Sequence, residues 1–288
     1  MNILVTGATG FIGKHLIPAL RTNGHNVHIL IRPGSDWMGL GVQHVVEFAD
    51  DIDHLISYFE ENEIEGIIHL ASLYVAEHQP NQIKDIVLSN IYLGTALLEA
   101  GKTAGINWFL NIGTIWQNYN VPDQSDEYNP VNLYAASKQA FMTMAKYYTE
   151  TSSLRFCTLK LCDTYGPDDT RKKIFALFER ISKTGEELDM SPGYQRLDIV
   201  HVDDVVAGII KLAGMLSKNE KVRPEYVISS GRQLSLRELA RLYEQQNGAK
   251  LRINWGKRPY RNREVMTPYK GVVLEGWEPK ILLKEKEC

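Results

Sequence analysis

Asn2-Ile3-Leu4-Val5-Thr6-Gly7-Ala8-Thr9-Gly10-Phe11-Ile12-Gly13 is the stretch from which the architecture follows. An apolar run of strand length enters a loop with glycines at 7, 10 and 13, and an amphipathic segment to about Thr22 comes next. Each glycine has a physical task. One makes a tight turn, one lets backbone approach a pyrophosphate, and one lets a helix pack on a strand. The helix start then offers free N–H groups and partial positive charge to phosphates. A glycine triplet alone is weak evidence; between a strand and a helix it points to dinucleotide binding, with a ligand-free βα turn as the alternative. Gly7, Thr9, Gly10, Phe11, Ile12 and Gly13 are the first candidate cofactor contacts.

The rest of the composition fits that start. A chain of 288 residues, 44% apolar, has room for one large domain or a domain with a smaller lobe. The net charge of −3 shows no basic excess and argues against nucleic acid as a partner. No apolar run is long enough to span a bilayer, so no membrane partner is expected. The N-terminus lacks the basic and apolar regions of a signal peptide, and a cytoplasmic location is expected. Cys157, Cys162 and Cys288 have no metal-ligand spacing, so no metal site is expected and buried free thiols are.

Outward from the glycine stretch the pattern alternates. Strands are expected at Val27 to Ile31, Val45 to Phe48, Gly66 to Leu70, Trp108 to Ile112 and Phe156 to Leu161. Helices are expected at Asp51 to Asn62, at Ile83 to Ala100 with Gly101 ending it, and at Pro130 to Thr151. Strands alternating with helices give βαβ units and a doubly wound, Rossmann-type parallel α/β sheet. Right-handed crossovers put the ligand crevice at the carboxyl ends of its strands. After Tyr165-Gly166-Pro167 the pattern loosens. A helix is expected at Arg171 to Ser182, a strand at Leu197 to Val202, a helix at Asp203 to Met215 and a strand at Tyr226 to Ile228, with a capping box at Ser235 to Glu238. Residues 1–165 and 196–230 are assigned to the dinucleotide domain. Residues 166–195 and 231–288 are assigned to a smaller, loop-rich substrate lobe.

The second chemical signal is Tyr134-Ala135-Ala136-Ser137-Lys138. Tyrosine and lysine four apart share a helix face. The ammonium is expected to lower the tyrosine pKa, fitting it to exchange a proton with a carbinol or carbonyl oxygen. Such a pair alone is usually a solvated surface pair. Here its helix follows a strand ending in Gly113-Thr114, which places the Thr114 hydroxyl at the carboxyl edge.

Together these residues resemble the extended short-chain dehydrogenase/reductases, the nucleotide-sugar epimerases, dehydratases and reductases. The resemblance covers almost the whole chain. It includes Asn90-Ile91-Tyr92-Leu93-Gly94-Thr95, His69-Leu70-Ala71, Tyr165-Gly166-Pro167, His201-Val202-Asp203-Asp204 and Gly276-Trp277-Glu278-Pro279. It implies Tyr134 as catalytic acid/base, Lys138 as the holder of the nicotinamide ribose, and Thr114 as the hydrogen-bonding partner of the sugar oxygen. It also adds Leu70, Ala71, Ser72 and Asn90 to the cofactor contacts, although Asn90 has a purely structural alternative as a helix residue bonded to nearby backbone.

Departures from the family pattern narrow the reaction. The 4,6-dehydratases place Asp-Glu after the threonine, and decarboxylating members also use an acid there. Here Ile115 and Trp116 stand in those positions and transfer no protons. The 3,5-epimerising reductases use a further Cys and His, for which Cys162 and His201 are a faint match. The stretches Asn111 to Tyr119 and Asn129 to Tyr134 look most like the CDP-abequose-synthase type of 4-ketoreductase. The expected activity is therefore NADPH-dependent reduction of a nucleotide 4-keto-6-deoxy sugar. A 4-epimerase with tightly held NAD is the first alternative. A non-catalytic dinucleotide-binding regulator is the second, and the intact Thr-Tyr-Lys set argues against it.

For the cofactor form, NAD-specific members end the second strand with an acid that binds the ribose 2′-OH. Here Ile31 is followed by Arg32 and Ser35, so NADP(H) is expected ahead of NAD(H). Asp51-Ile52 resembles the adenine-contacting pair, with Asp51 equally suited to cap the next helix. Candidates for a nucleotide diphosphate are Arg171, Arg196, Arg232, Arg261 and Arg263, with Arg196 and Arg263 preferred as a pair. The usual arginine before Tyr-Gly-Pro is Lys160 here, and the arginine before His-Val-Asp-Asp sits one residue early, at Arg196. His69 is expected to be a packed core residue and Asp204 a helix-start carboxylate. The resemblance further implies a homodimer formed through residues 83–100 and 130–151. Ile83, Ile86, Val87, Ile91, Leu93, Leu97 and Leu98 on the first and Phe141, Met142, Met144, Tyr147 and Tyr148 on the second offer more apolar surface than one stripe needs.

Overall fold

The computed structural model describes residues 1–171 and 173–283. From the N-terminus, β1 (Asn2–Thr6) leads into α1 (Phe11–Thr22) and β2 (Asn26–Ile31). β3 (His44–Glu47), α2 (Ile52–Glu61) and β4 (Gly66–His69) follow. A long helical stretch runs from α3 (Ile83–Val87) through a π-helical turn at Leu88–Tyr92 into α4 (Leu93–Thr103). β5 (Trp108–Thr114), α5 (Leu133–Thr151) and β6 (Arg155–Leu161) come next, then β7 (Asp163–Tyr165), α6 (Ile174–Thr184) and β8 (Leu188–Met190). The chain ends with β9 (Arg196–His201), α7 (Val202–Ser217), β10 (Glu225–Ile228), β11 (Gln233–Ser235), α8 (Leu236–Asn247) and β12 (Ile253–Trp255).

Seven strands form one sheet in the order β10-β6-β5-β4-β1-β2-β3, every neighbour parallel. Its central strands are buried on both faces, which is why they read as continuous apolar runs. β1 feeds two cores by alternation: Ile3 and Val5 pack with α1 and α7, while Leu4 packs with α2, α4 and α5. Strand order reverses between β1 and β4, so the crevice outside their carboxyl ends is the switch point where ligands bind in such sheets. A third core, built on Phe178, Ile181, Ile199, Leu234 and Leu239, belongs to the lobe. There β9 lies between β11 and β7, and β12 pairs with β8.

A C-terminal strap covers the open edge of the large sheet. Val227 of β10 donates to Val272 O, and the buried Asp204 carboxylate accepts from the Lys280 and Ile281 N–H groups. Trp277 Nε1 donates to Asp204 O. Asp204 is thus a structural anchor at the start of α7, and the Gly-Trp-Glu-Pro sequence belongs to the strap it holds.

Several expected boundaries move. β5 runs two residues further, to Thr114. Gly101 does not end α4; it is buried inside it against Ile106, and the chain turns at Gly105 with φ +72. α6 starts at Ile174 rather than Arg171. The three-residue strands β8, β11 and β12 were not expected, and β9 joins the lobe sheet instead of the large one. Cys157 and Cys162 are buried free thiols; Cys288 lies outside the described residues. No helix among the described residues is long and apolar enough to cross a membrane.

Candidate active site

The turn after β1 is held by close backbone approaches. Gly7 has φ +69, and a Cβ there would sit 2.7 Å from Ala71 N. A Cβ on Gly13 would sit 2.4 Å from Gly7 O, so the helix packs directly on the turn. Gly10 differs: it is exposed, and its Cβ would meet only Gly7 O at 3.2 Å. It starts α1 with no side-chain cap, leaving the first N–H groups of that helix without a side-chain acceptor. Thr9, Phe11 and Ile12 beside it are half-buried.

The loop after β4 is fixed to this turn from below. Ala71 N donates to Thr6 Oγ1 at 3.1 Å, and Thr6 Oγ1 shares a proton with His69 Nδ1 at 2.8 Å. His69 is fully buried between the Phe109 and Phe141 rings, a core residue as expected. Burial first, and the Lys138 charge second, hold its pKa well below the usual histidine value. Leu70 and Ala71 are half-buried and Ser72 is exposed.

Asn132 positions α5. Its Oδ1 caps the helix by accepting from Ala135 N at 3.0 Å, and its Nδ2 donates to Ala76 O at 3.0 Å. Lys138, one turn beyond Tyr134, is 1% exposed, and its ammonium has no hydrogen-bond partner among the described residues. Burial lowers its pKa to about 8. The Tyr134 pKa moves opposite to the expected direction. Burial raises it, and only the Ser72 side chain and the Arg171 charge pull it down. The charge acting on the phenol is therefore Arg171, from the lobe, rather than Lys138.

Thr114 ends β5 and caps the one-turn helix Ile115–Gln117. Its Oγ1 accepts from Trp116 N at 3.3 Å, which leaves the hydroxyl proton free to donate. Ile115 is buried and Trp116 half-buried. The Tyr74 ring lies 5.1 Å from that of Tyr134, edge to face, and 5.7 Å from that of Trp116. Sequence reasoning missed Tyr74. It stands in the aperiodic loop after β4, and its place three residues beyond Ala71 is the one signal that pointed at the crevice.

Asn90, expected among the cofactor contacts, is fully committed to the protein. Its Oδ1 accepts from Leu73 N at 2.6 Å; its Nδ2 donates to Leu73 O at 3.1 Å and to Ser137 Oγ at 2.9 Å. No amide hydrogen is left for a ligand, and the residue braces the β4 loop against α5 instead. Arg32 is exposed after β2 with no side-chain partner among the described residues, in a turn closed by Ser35 N on Arg32 O at 3.1 Å. Asp51 caps α2 by accepting from His54 N at 2.9 Å, and Ile52 packs on the core beneath.

The five arginines all have partners within the chain. Arg171 pairs with Asp169 at 2.7 Å, donates to Thr164 O at 2.8 Å and lies 4.2 Å over the Phe11 ring, bringing the lobe onto the glycine turn. Arg196 donates to Gln233 O at 2.6 Å, and Arg232 to Leu283 O at 2.6 Å. Arg261 pairs with Glu77 at 3.2 Å. Arg263 donates to Asn129 Oδ1 and lies 4.6 Å over the Tyr119 ring. Arg196 and Arg263 do not contact each other, and the one-residue displacement of Arg196 turns it to the other face of β9, leaving Leu197 packed on the lobe core. Lys160 is buried in an ion pair with Glu225 at 2.6 Å and donates to Asn118 Oδ1 at 2.8 Å, a structural role. Cys162 and His201 form no acid–base pair. Burial and the Asp198 carboxylate push the thiol far up, and His201 Nδ1 accepts from Asp203 N at the start of α7.

Comparison with known proteins finds related sequences and folds. CDP-abequose synthase of Salmonella muenchen is 26% identical over 270 residues, covering 92% of this chain and 87% of that protein. A putative UDP-glucose 4-epimerase of Methanocaldococcus jannaschii is 26% identical over 307 residues, covering 98% and 95%. Among solved structures, the Thermotoga maritima UDP-glucose 4-epimerase with UDP-glucose superposes with a TM-score of 0.82 at 25% identity, covering 98% of this chain and 95% of that one. The model of the NAD dependent epimerase/dehydratase family matches residues 3–229, and the chain belongs to that family.

Proposed function

We propose that the chain reduces the 4-keto group of a nucleotide-activated 4-keto-6-deoxy sugar, with NADPH as reductant. One observation supports this reading: Tyr74 touches both the Tyr134 and Trp116 rings, Trp116 N bonds Thr114 Oγ1, and the positions after Thr114, Ile115 and Trp116, hold no proton-transfer group. That set can protonate an oxygen but cannot eliminate water. Thr114 donates a hydrogen bond to the substrate carbonyl, and Tyr134 gives its proton to the same oxygen as charge develops there. A tyrosine with a raised pKa stays protonated at neutral pH, as a proton donor in reduction must.

The residues present fit a dinucleotide. Gly10 is exposed at an uncapped helix start, and the buried Lys138 ammonium lacks, among the described residues, a partner that ribose hydroxyls would supply. The turn 7–13, residues 70–72 and Lys138 would hold the cofactor, which supplies hydride when bound. Arg32, exposed, without a side-chain partner among the described residues and with no carboxylate at the end of β2, suits a 2′-phosphate. The lobe would hold the nucleotide sugar, with Arg171 the arginine placed nearest the reacting groups. Exposed Ile83, Val87, Leu88, Met144 and Tyr147 form the surface of a homodimer in this reading; Ile86, Leu97, Leu98, Phe141 and Tyr148 pack inside the chain.

The likeness to a UDP-glucose 4-epimerase structure at 25% identity favours a second reading, a 4-epimerase. Incubation with a panel of nucleotide 4-keto-6-deoxy sugars, following NADPH absorbance, separates the two. A reductase consumes NADPH with at least one member of the panel. An epimerase is purified with tightly held nicotinamide and consumes none.

A further inference from the structure

We propose that Tyr74 and Trp116 form an aromatic wall that selects a sugar carrying a methyl group, rather than a hydroxymethyl or carboxylate, on the carbon next to the reacting one. The inference rests on the nucleotide-sugar reading above. The Tyr74 ring bridges Trp116 at 5.7 Å and Tyr134 at 5.1 Å, and the Trp116 N–H is bonded to Thr114 Oγ1 at 3.3 Å. A carbonyl held by Thr114 and Tyr134 therefore has these rings beside its neighbouring carbons.

The amide side chains beside the wall are committed within the chain. Gln117 has its oxygen on Thr114 N and its amide hydrogens on Gln139 Oε1 and Met142 Sδ. Asn132 has its oxygen on Ala135 N and its nitrogen on Ala76 O. The cations nearby are neutralised: Lys173, 5.5 Å over the Tyr74 ring, pairs with Asp163 at 3.2 Å, and Arg171 pairs with Asp169. A methyl against the rings gains burial. A hydroxymethyl laid on the ring faces loses water there, and a carboxylate loses more.

The test is calorimetric binding to the full chain with NADP⁺ present. It uses two series, the UDP and the CDP forms of 6-deoxyglucose, glucose and glucuronate. In a series that binds, the 6-deoxy sugar is expected to bind about 10- to 100-fold tighter than glucose, the range an apolar pocket achieves against an added hydroxyl, with glucuronate weaker still. Trp116→Gln is expected to bring the first ratio close to one, and Tyr74→Ala does so if Trp116→Gln fails to fold. Trp116→Phe and Tyr74→Phe keep the ratio, because they retain the rings and lose only the indole N–H or the hydroxyl. Equal binding of the three sugars by the unaltered chain overturns the wall and leaves the nucleotide-sugar reading standing. So does a ratio that survives loss of either ring, or one that collapses in the phenylalanine variants. If no member of either series binds, the reading as an enzyme of UDP or CDP sugars fails and the wall fails with it.

Discussion

Around the glycine turn, backbone presses on backbone; across the crevice, the lobe reaches the site through side-chain ends. A Cβ on Gly13 would lie 2.4 Å from Gly7 O, and one on Gly7 2.7 Å from Ala71 N. Opposite, Arg261 meets Glu77 through two exposed side chains, and Arg171 reaches the turn through its stack on Phe11. Packed backbone has one arrangement, whereas exposed ion pairs contribute about 0–1 kcal/mol and exchange readily. The difference teaches that the glycine-turn side of the crevice is held by packed backbone, while the lobe side meets it through contacts that can exchange; in the proposed function these are the cofactor and substrate sides.

The largest effect is expected where the two sides meet. Tyr134→Phe removes the proton donor without emptying the core, and turnover on a competent substrate falls by roughly two to four orders of magnitude while the melting temperature holds. Near-normal turnover in that variant would falsify the role of Tyr134 and detach the chemistry from the large sheet.

Lys138 tests how far the cofactor side is strained in advance. Burial brings this lysine to a pKa of about 8, a cost of roughly 3 kcal/mol to the folded state relative to an ordinary lysine. Below pH 8 both folded and unfolded chains carry the proton and the cost is complete. As pH rises from 8 toward the unfolded value, the folded chain has released its proton while the unfolded one keeps it, and stability climbs. Lys138→Met is therefore expected to be more stable than the unaltered chain at pH 7, by up to about 3 kcal/mol, with the gain shrinking above pH 8. Denaturant titration across pH checks this; a destabilised variant at pH 7 contradicts it.

The comparison sharpens within the turn itself. Gly13→Ala drives a methyl into backbone and is expected to cost roughly 1–3 kcal/mol of stability. Gly10→Ala meets one backbone oxygen, at 3.2 Å, and is expected to cost less stability than Gly13→Ala while losing dinucleotide affinity. Equal losses of stability in both variants would mean that Gly10 too serves packing alone.

What the sequence made legible divides along the same line. The glycine turn, the alternation of strands and helices, and the Tyr134–Lys138 face are local, with spacing and backbone geometry carried by a few consecutive residues. The direction of the Tyr134 pKa was not legible, because burial and a charge 37 residues away, on Arg171, decide it. The commitment of Asn90 depends on Leu73 and Ser137, 17 and 47 residues distant. β8 and β12 have three residues each and form by pairing Leu188 with Ile253, which no local period announces. The lobe arginines could be counted, but their partners are backbone carbonyls and side chains that the fold alone assembles.

Arg32 gives the smallest expected effect, since it lies on the proposed cofactor side yet is exposed like Arg196, Arg261 and Arg263. Arg32→Ala is expected to weaken NADPH by about 10- to 100-fold and NADH far less, the worth of a charged hydrogen bond. Equal effects on both cofactors would show that Arg32 does not meet the 2′-phosphate.

The most direct measurement follows the hydrogen itself. The chain is supplied with NADPH deuterated at C4 of the nicotinamide and with the nucleotide 4-keto-6-deoxy sugar that consumes it, and the product is examined by mass spectrometry and NMR. Reduction at C4 places one deuterium on the sugar C4 for each deuterated NADPH oxidised at the labelled face. A product interconverted between 4-epimers with no label from added cofactor, and no net loss of NADPH, contradicts the reductase and leaves the epimerase.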